Sequence, residues 1–292
     1  MSKHSFKDWL IAVRPWSFPA SAMPVLVTLA YLHWIQFEID WVNGMLALVG
    51  IVFFHASGNA WSDFHDYKYG VDTPNTFGVK TLTSGQFAPS EIRNLALGLL
   101  VPAGIVGVLL LFRVGLPLLW IGLGGLGCSL LYPWLKYRAW GDVVILMAYA
   151  ILPTLGTSFV ATGMFLSDVL LVAFPVGLIT VAILHANNTR DITTDTQAQI
   201  TTLAMKAGLK MDVFLYVVEI LLPFAWIVAC VFIGYFPKWS LLVLMALPLA
   251  IINMRAMLHF PQAGVRVIAD LDEKTAKLQL LFSLLFTITF LI

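Results

Sequence analysis

Two short stretches concentrate side chains that could do chemistry. In NAWSDFHDYKYGVDTP, residues Asn59, Asp63 and Asp66 recur at offsets of 0, 4 and 7; in NNTRDITTD, Asn187, Asp191 and Asp195 recur at 0, 4 and 8, with Asn188 and Arg190 beside them. On a helix, such spacings put each set on one face, so its oxygens can converge. Two oxygen-rich faces opposing each other could hold Mg²⁺, which binds through a few carboxylates together with waters and substrate phosphates. With Lys80 and Arg190 as phosphate clamps, such a pair of sites is suited to gripping a diphosphate. Asp and Asn near a helix end also serve as caps or as solvated loop residues, and that reading covers either cluster alone. Two one-sided clusters of the same kind weigh against it.

The elements that must position these residues are read from composition. Of the 292 residues, 60% are hydrophobic and only 11% charged, with mean hydropathy +0.88. Soluble domains carry about 25% charged residues, so the chain is expected to be an integral membrane protein. About 20 apolar residues cross a bilayer as a helix. Windows of that kind fall near 17–36, 43–62, 93–112, 115–134, 141–162, 167–187, 211–234, 238–259 and 275–292. The sequence therefore predicts an all-α, multi-pass protein: one domain over 1–292, with nine transmembrane helices around a central cavity.

Basic residues accumulate on the cytoplasmic side of membrane proteins. With the N-terminus inside, Lys3, Lys7, Arg14, Lys68, Lys80, Arg93, Lys136, Arg138, Arg190, Lys206, Lys210, Arg255, Arg266, Lys274 and Lys277 all fall there, leaving only Arg113 and Lys238 outside. This bias predicts an N-in, C-out topology, with the cavity opening to the cytoplasm. Both acidic clusters then lie at cytoplasmic helix ends, at the start of the loops 63–92 and 188–210. A cation transporter, the alternative from another class, would place its carboxylates along an ion path within the membrane. The opening residues show no removable signal peptide. Cys128 and Cys230 lie in apolar runs without metal-site or disulfide spacing, and nothing points to nucleic-acid binding.

These residues resemble the UbiA superfamily of intramembrane aromatic prenyltransferases, which have nine helices and aspartate-rich motifs after helices 2 and 6. NAWSDFHDYKYGVDT is similar to the first motif as found in 1,4-dihydroxy-2-naphthoate polyprenyltransferases, and NNTRDITTDTQAQITTLAMKAG to the second. RPWSFPASAMPVLV resembles the family's opening segment, and KTLTSGQFAPSEI its R-P-L-P-S-G segment. The likeness spans residues 14 to about 208; beyond that, only hydropathy matches. The chain departs from the pattern at Gln199, Ile200 and Thr201, where a glycine and basic residues are usual, and at Lys80, where arginine is common.

The resemblance implies Mg²⁺-dependent transfer of a polyprenyl group from its diphosphate to 1,4-dihydroxy-2-naphthoate, with decarboxylation, in menaquinone biosynthesis at the bacterial cytoplasmic (inner) membrane. It implies Asn59, Asp63, Asp66, Asp191 and Asp195 as metal ligands, helped by Asn187 or Asn188. Lys80 and Arg190 would contact the diphosphate, Lys136 would be a third cation, and Tyr132 would line the acceptor pocket. For Lys136 and Tyr132, anchoring at the membrane interface is an equal alternative. Because YPWLKYRAWGD looks more like the 4-hydroxybenzoate enzymes, that or another phenolic acceptor stays open. Trp16, Phe18, Phe53, Phe54, Trp61 and Tyr149 are candidates to face an allylic cation. Asp72 reads as a loop or supporting residue, and His55, His185 and Glu219 have either buried structural or acid–base roles.

Overall fold

The computed structural model describes residues 4–74 and 76–292; Lys3, counted above with the inner basic residues, lies outside the described residues. Helices occupy all nine apolar windows, and no strand occurs among the described residues. A short α1 (Phe6–Val13) leads through a 3-10 turn into α2 (Pro19–Trp34). Then come α3 (Trp41–Lys68), α4 (Pro89–Val114) and α5 (Pro117–Lys136). α6 (Gly141–Leu146) continues through a π-helical turn, Met147–Ile151, into α7 (Leu152–Thr162). α8 (Leu170–Arg190) is followed by two short helices, α9 (Ile192–Gln197) and α10 (Leu203–Ala207). The chain ends with α11 (Leu209–Phe232), α12 (Leu247–Ala263) and α13 (Leu271–Thr289).

Seven of these runs are long and apolar enough to cross a bilayer, and α1 with α2, bent by 49°, makes an eighth if the pair is one span. Pro19 starts α2 at the bend, since its ring removes a backbone donor and fixes φ. The ninth window differs from expectation. α13 is helical, but Asp272, Glu273, Lys274 and Lys277 occupy its first two turns, so composition alone does not qualify it as a span.

The acidic loops also begin later than the sequence suggests. α3 stays helical to Lys68, which keeps Asp63 and Asp66 on one helix. Gly70, at φ 72°, then reverses the chain, a conformation glycine adopts without steric cost. The Val71 and Asp72 amides thereby donate back to the Asp66 carbonyl, at 2.8 and 3.1 Å.

α8 is the central element: 67% of its spanning window is buried, against 6% for α5. Ile179 and Val176 of α8 join Tyr216, Ile220 and Phe224 of α11, Phe282 and Phe286 of α13, and Leu32 of α2 in the main apolar core. α4 and α5 lie outside it, and Phe112 and Trp120 show apolar surface suited to lipid. Close approach fixes one crossing: a Cβ on Gly177 would stand 2.6 Å from the Ala150 Cβ.

Candidate active site

A cavity of about 370 Å³ opens where the polar ends of several helices meet, within the size range of small-molecule sites. Its walls come from Arg14–Ser21 before and into α2, the last four turns of α3, the end of α5, the π turn, the end of α8 and the start of α13. A π turn is often found at a functional site; here it carries Ala148 and Tyr149 on the cavity wall.

The first acidic cluster lies on the α3 wall. Asp63 is buried and ion-paired with Arg14. Asp66 accepts from the Tyr137 hydroxyl at 2.6 Å and from the Lys136 ammonium at 3.3 Å. Burial and the adjacent Asp66 hold the Tyr137 phenol well above its usual range, so it remains a donor. Asn59 also lines the cavity, and its amide nitrogen donates to the Val13 carbonyl and the Ser17 hydroxyl, both at 3.0 Å. That contact ties down the segment carrying Arg14, and any ligand role of Asn59 falls to its carbonyl oxygen. Asp72, read from sequence as a loop or supporting residue, stands where the second of these roles would put it. It lines the same cavity, and burial, reinforced by Asp66 and Asp63, pushes its carboxyl up to about 7.

Asn187, Asp191 and Asp195 line the facing wall. α8 stops at Arg190, yet the Asp191 amide bonds the Asn187 carbonyl and the Asp195 amide bonds the Asp191 carbonyl, at 3.0 and 2.8 Å. The four-residue spacing therefore survives the break. Burial, then the charges of Asp191 and Asp66 against that of Lys136, leave the Asp195 carboxyl raised to about 6.

Three expected contacts fall elsewhere. Arg190 does not line the cavity: its guanidinium takes both oxygens of Asp191 at 2.9 Å and Asp272 at 2.7 Å, and lies 5.0 Å from the Phe77 ring. Lys80 is exposed, its ammonium donating to the Pro74 carbonyl at 2.6 Å. Asn188 is buried off the cavity, with no partner for its side-chain oxygen among the described residues. Tyr132 and Lys136 both line the cavity.

Sequence reasoning missed several groups. Arg14 opens the RPWSFPASAMPVLV segment and reads from sequence as an inner basic residue, with no site role assigned. Asp272, Glu273 and Gln279 of α13 line the cavity as well, and both amide atoms of buried Gln279 lack partners among the described residues. The charged first turns of α13, odd for a membrane helix, were the available signal. Of the aromatic candidates, Trp16, Phe54, Trp61 and Tyr149 line the cavity, whereas Phe18 and Phe53 do not. His55 is in the wall, bonded to the Ser21 hydroxyl at 2.9 Å. The departing residues 199–201 meet the end of α5, where the Thr201 amide donates to the Tyr137 carbonyl at 3.1 Å.

The sequence matches the UbiA prenyltransferase family over residues 21–291. It is 32% identical over 284 residues to UbiA prenyltransferase domain-containing protein 1 of Danio rerio, covering 95% of this chain and 82% of that protein. The protein of the same name from Homo sapiens is 29% identical over 290 residues, with 96% and 82% covered. Their names give the family and no acceptor. Among solved structures, a digeranylgeranylglyceryl phosphate synthase superposes with a TM-score of 0.64 at 18% identity, covering 97% of this chain and 98% of that one. A UbiA homolog from Archaeoglobus fulgidus bound to GPP and Mg²⁺ gives 0.61 at 12%, covering 96% and 99%. At such identities the likeness is one of fold. Fold, cavity and the family match together show that this integral membrane chain belongs to the UbiA prenyltransferase family and is a prenyltransferase rather than a carrier.

Proposed function

We propose that the chain transfers a polyprenyl group from its diphosphate to 1,4-dihydroxy-2-naphthoate in a Mg²⁺-dependent reaction, with loss of the acceptor carboxylate. One observation carries the diphosphate half of this reading: among the described residues, seven carboxylates and two cationic side chains, Arg14 and Lys136, line the cavity. A diphosphate would be repelled by such a wall unless divalent cations entered with it. The donors are carboxylate and amide oxygens, the hard ligands Mg²⁺ takes. Asp63, Asp66 and Asn59 on one wall and Asp191 and Asp195 on the other would hold the ions, with Asp72 beside them. Bound Mg²⁺ would supply charge neutralisation for the departing diphosphate.

The remaining roles belong to the chain itself. Lys136 and Arg14, which line the cavity while paired to Asp66 and Asp63, present positive charge to the diphosphate oxygens. Arg190 holds Asp191 and Asp272 in place rather than touching substrate, and Lys80 ties back to the Pro74 carbonyl. Trp16, Phe54, Trp61, Tyr132 and Tyr149 offer aromatic faces to an allylic cation and restrict water. Gln279, with unused donor and acceptor capacity, and Asn187 are suited to orient a polar acceptor ring.

The acceptor rests on the DYKYGVDT and NNTRD resemblance; a 4-hydroxybenzoate-type acceptor is the second reading, favoured by YPWLKYRAWGD. We read the whole chain as one unit with nine spans, α1–α2 and α13 included, N-in and C-out, on the charge bias of its loops. The cavity then faces the cytoplasm, and assignment to a bacterial membrane rests on the motif resemblance alone. The test is direct: purified protein is incubated with Mg²⁺, a polyprenyl diphosphate and each acceptor in turn. Prenylated, decarboxylated naphthoate is expected. Product from hydroxybenzoate alone would overturn the acceptor, and absence of diphosphate release with every acceptor would overturn the reaction.

A further inference from the structure

A second polar cluster lies outside the cavity, within the helix bundle. His185 of α8 directs Nε2 at Asp212 of α11, at 2.9 Å, and Nδ1 at Glu219 about two helical turns further on, also at 2.9 Å. Asp142, the second residue of α6, approaches from the other side. One ligand atom each from Asp142, His185 and Glu219 lies within 4.8 Å of the others. None of the three lines the cavity.

Asp142 is 8% exposed, and neither of its carboxylate oxygens has a hydrogen-bond partner from another residue among the described residues. A buried carboxylate left in this way is costly, and here it points at two further ligand atoms. Asp212 is different, because the Thr189 hydroxyl donates to it at 3.0 Å and the His185 imidazole faces it. Among the described residues, no lysine or arginine forms an ion pair with Asp142, Asp212 or Glu219. Even a fully protonated imidazole would leave two of the three carboxylate charges unbalanced.

We propose that Asp142, His185 and Glu219 form a second metal site, for a divalent transition ion of the zinc class, distinct from the Mg²⁺ of the cavity. With Nε2–H donated to Asp212, His185 presents the Nδ1 lone pair to the ion. A carboxylate that orients a metal-binding histidine is the usual outer partner of such sites. One imidazole nitrogen and two carboxylates, with a fourth position open, is a donor set zinc accepts, whereas magnesium prefers oxygen alone. The ion balances Asp142 and Glu219 while Thr189 and His185 hold Asp212. It would pin α6, α8 and α11 together two residues before Asn187, at the root of the second acidic wall.

The experiment is metal analysis of the full-length protein, purified in detergent without chelator and equilibrated with zinc. About one zinc per chain is expected, retained in Asp63→Asn and reduced about tenfold or more in Asp142→Asn and His185→Gln. Removing zinc from the wild-type protein with a zinc-selective chelator should lower its melting temperature, and added zinc should restore it. If the variants fail to fold, X-ray absorption at the zinc edge of the wild-type protein decides: one imidazole with oxygen neighbours is expected. Wild-type protein without stoichiometric zinc, zinc content unchanged in both variants, or a shell containing sulfur or two imidazoles would overturn the proposal.

Discussion

Asp63 and Asp66 meet cations that the fold brings from elsewhere in the chain, Arg14 from before α2 and Lys136 from the end of α5, and both cations line the cavity. On the facing wall Asp191 meets the cation next to it in sequence, Arg190, which also binds Asp272 and is turned out of the cavity. Two motifs that look alike as strings thus differ as electrostatic environments. The α3 wall can lend positive charge to an entering anion, because pairs shared with the cavity can be redistributed. The α8 wall has its cation committed to structure, and it offers mainly negative charge to cations that arrive with the substrate.

The largest effect should come from removing one ligand on either wall. Asp63→Asn and Asp191→Asn are each expected to lower kcat/KM by about 10²–10³-fold, measured as product formation at saturating Mg²⁺. If only one of the two mattered, the walls would not act on one diphosphate.

Exchanging the cations should separate the walls. Lys136→Met removes charge from the cavity and should lower kcat/KM for the prenyl diphosphate by about 10²-fold, while Asp66 keeps the Tyr137 hydroxyl as a partner. Arg190→Met strands two half-buried carboxylates and should cost stability of about 2 kcal/mol, read by thermal unfolding, with the smaller catalytic loss. The reverse pattern would assign the phosphate contact to Arg190 after all.

Acidity probes both walls at once. In the metal-free protein, Asp72 and Asp195 are raised to about 7 and about 6 from 3.8. The folded state therefore binds protons more tightly than the unfolded one, so stability rises as pH falls from about 7 towards 4 and is flat above about 7. Mg²⁺ binds the ionised carboxylates and should stabilise most above pH 7, flattening the dependence; melting curves with Mg²⁺ or chelator across that range test this. The smallest effect is expected at Lys80, exposed and held by a backbone carbonyl. Lys80→Ala should change kcat/KM by about twofold, within the range of ordinary surface substitutions.

Local information explains what was legible. Spacing of Asn59, Asp63 and Asp66 sufficed because one helix carries all three, and the windows located the helices because apolar length is a property of contiguous residues. Misreadings arose where a side chain's partner is distant. Arg190 beside two acidic positions reads as a phosphate clamp until Asp272, 82 residues on, is seen to share it. Asp72 stays open between loop and supporting residue until Gly70 is seen to turn it back to Asp66. The window at 275–292 reads as one more apolar span until α13 is seen to start at Leu271 and to take in Asp272, Glu273 and Lys274.

By itself, the sequence determined an all-helical membrane protein with two oxygen-rich helix ends and the family to which they belong, since periodicity, hydropathy and motif identity are written along the chain. Tertiary structure alone decided which cations face the cavity, that Asp72 and α13 complete its walls, and that Asp142, His185 and Glu219 converge away from it. These depend on how helices distant in sequence cross, and the crossings are set by packing, as at Gly177 against Ala150, rather than by any local pattern of residues.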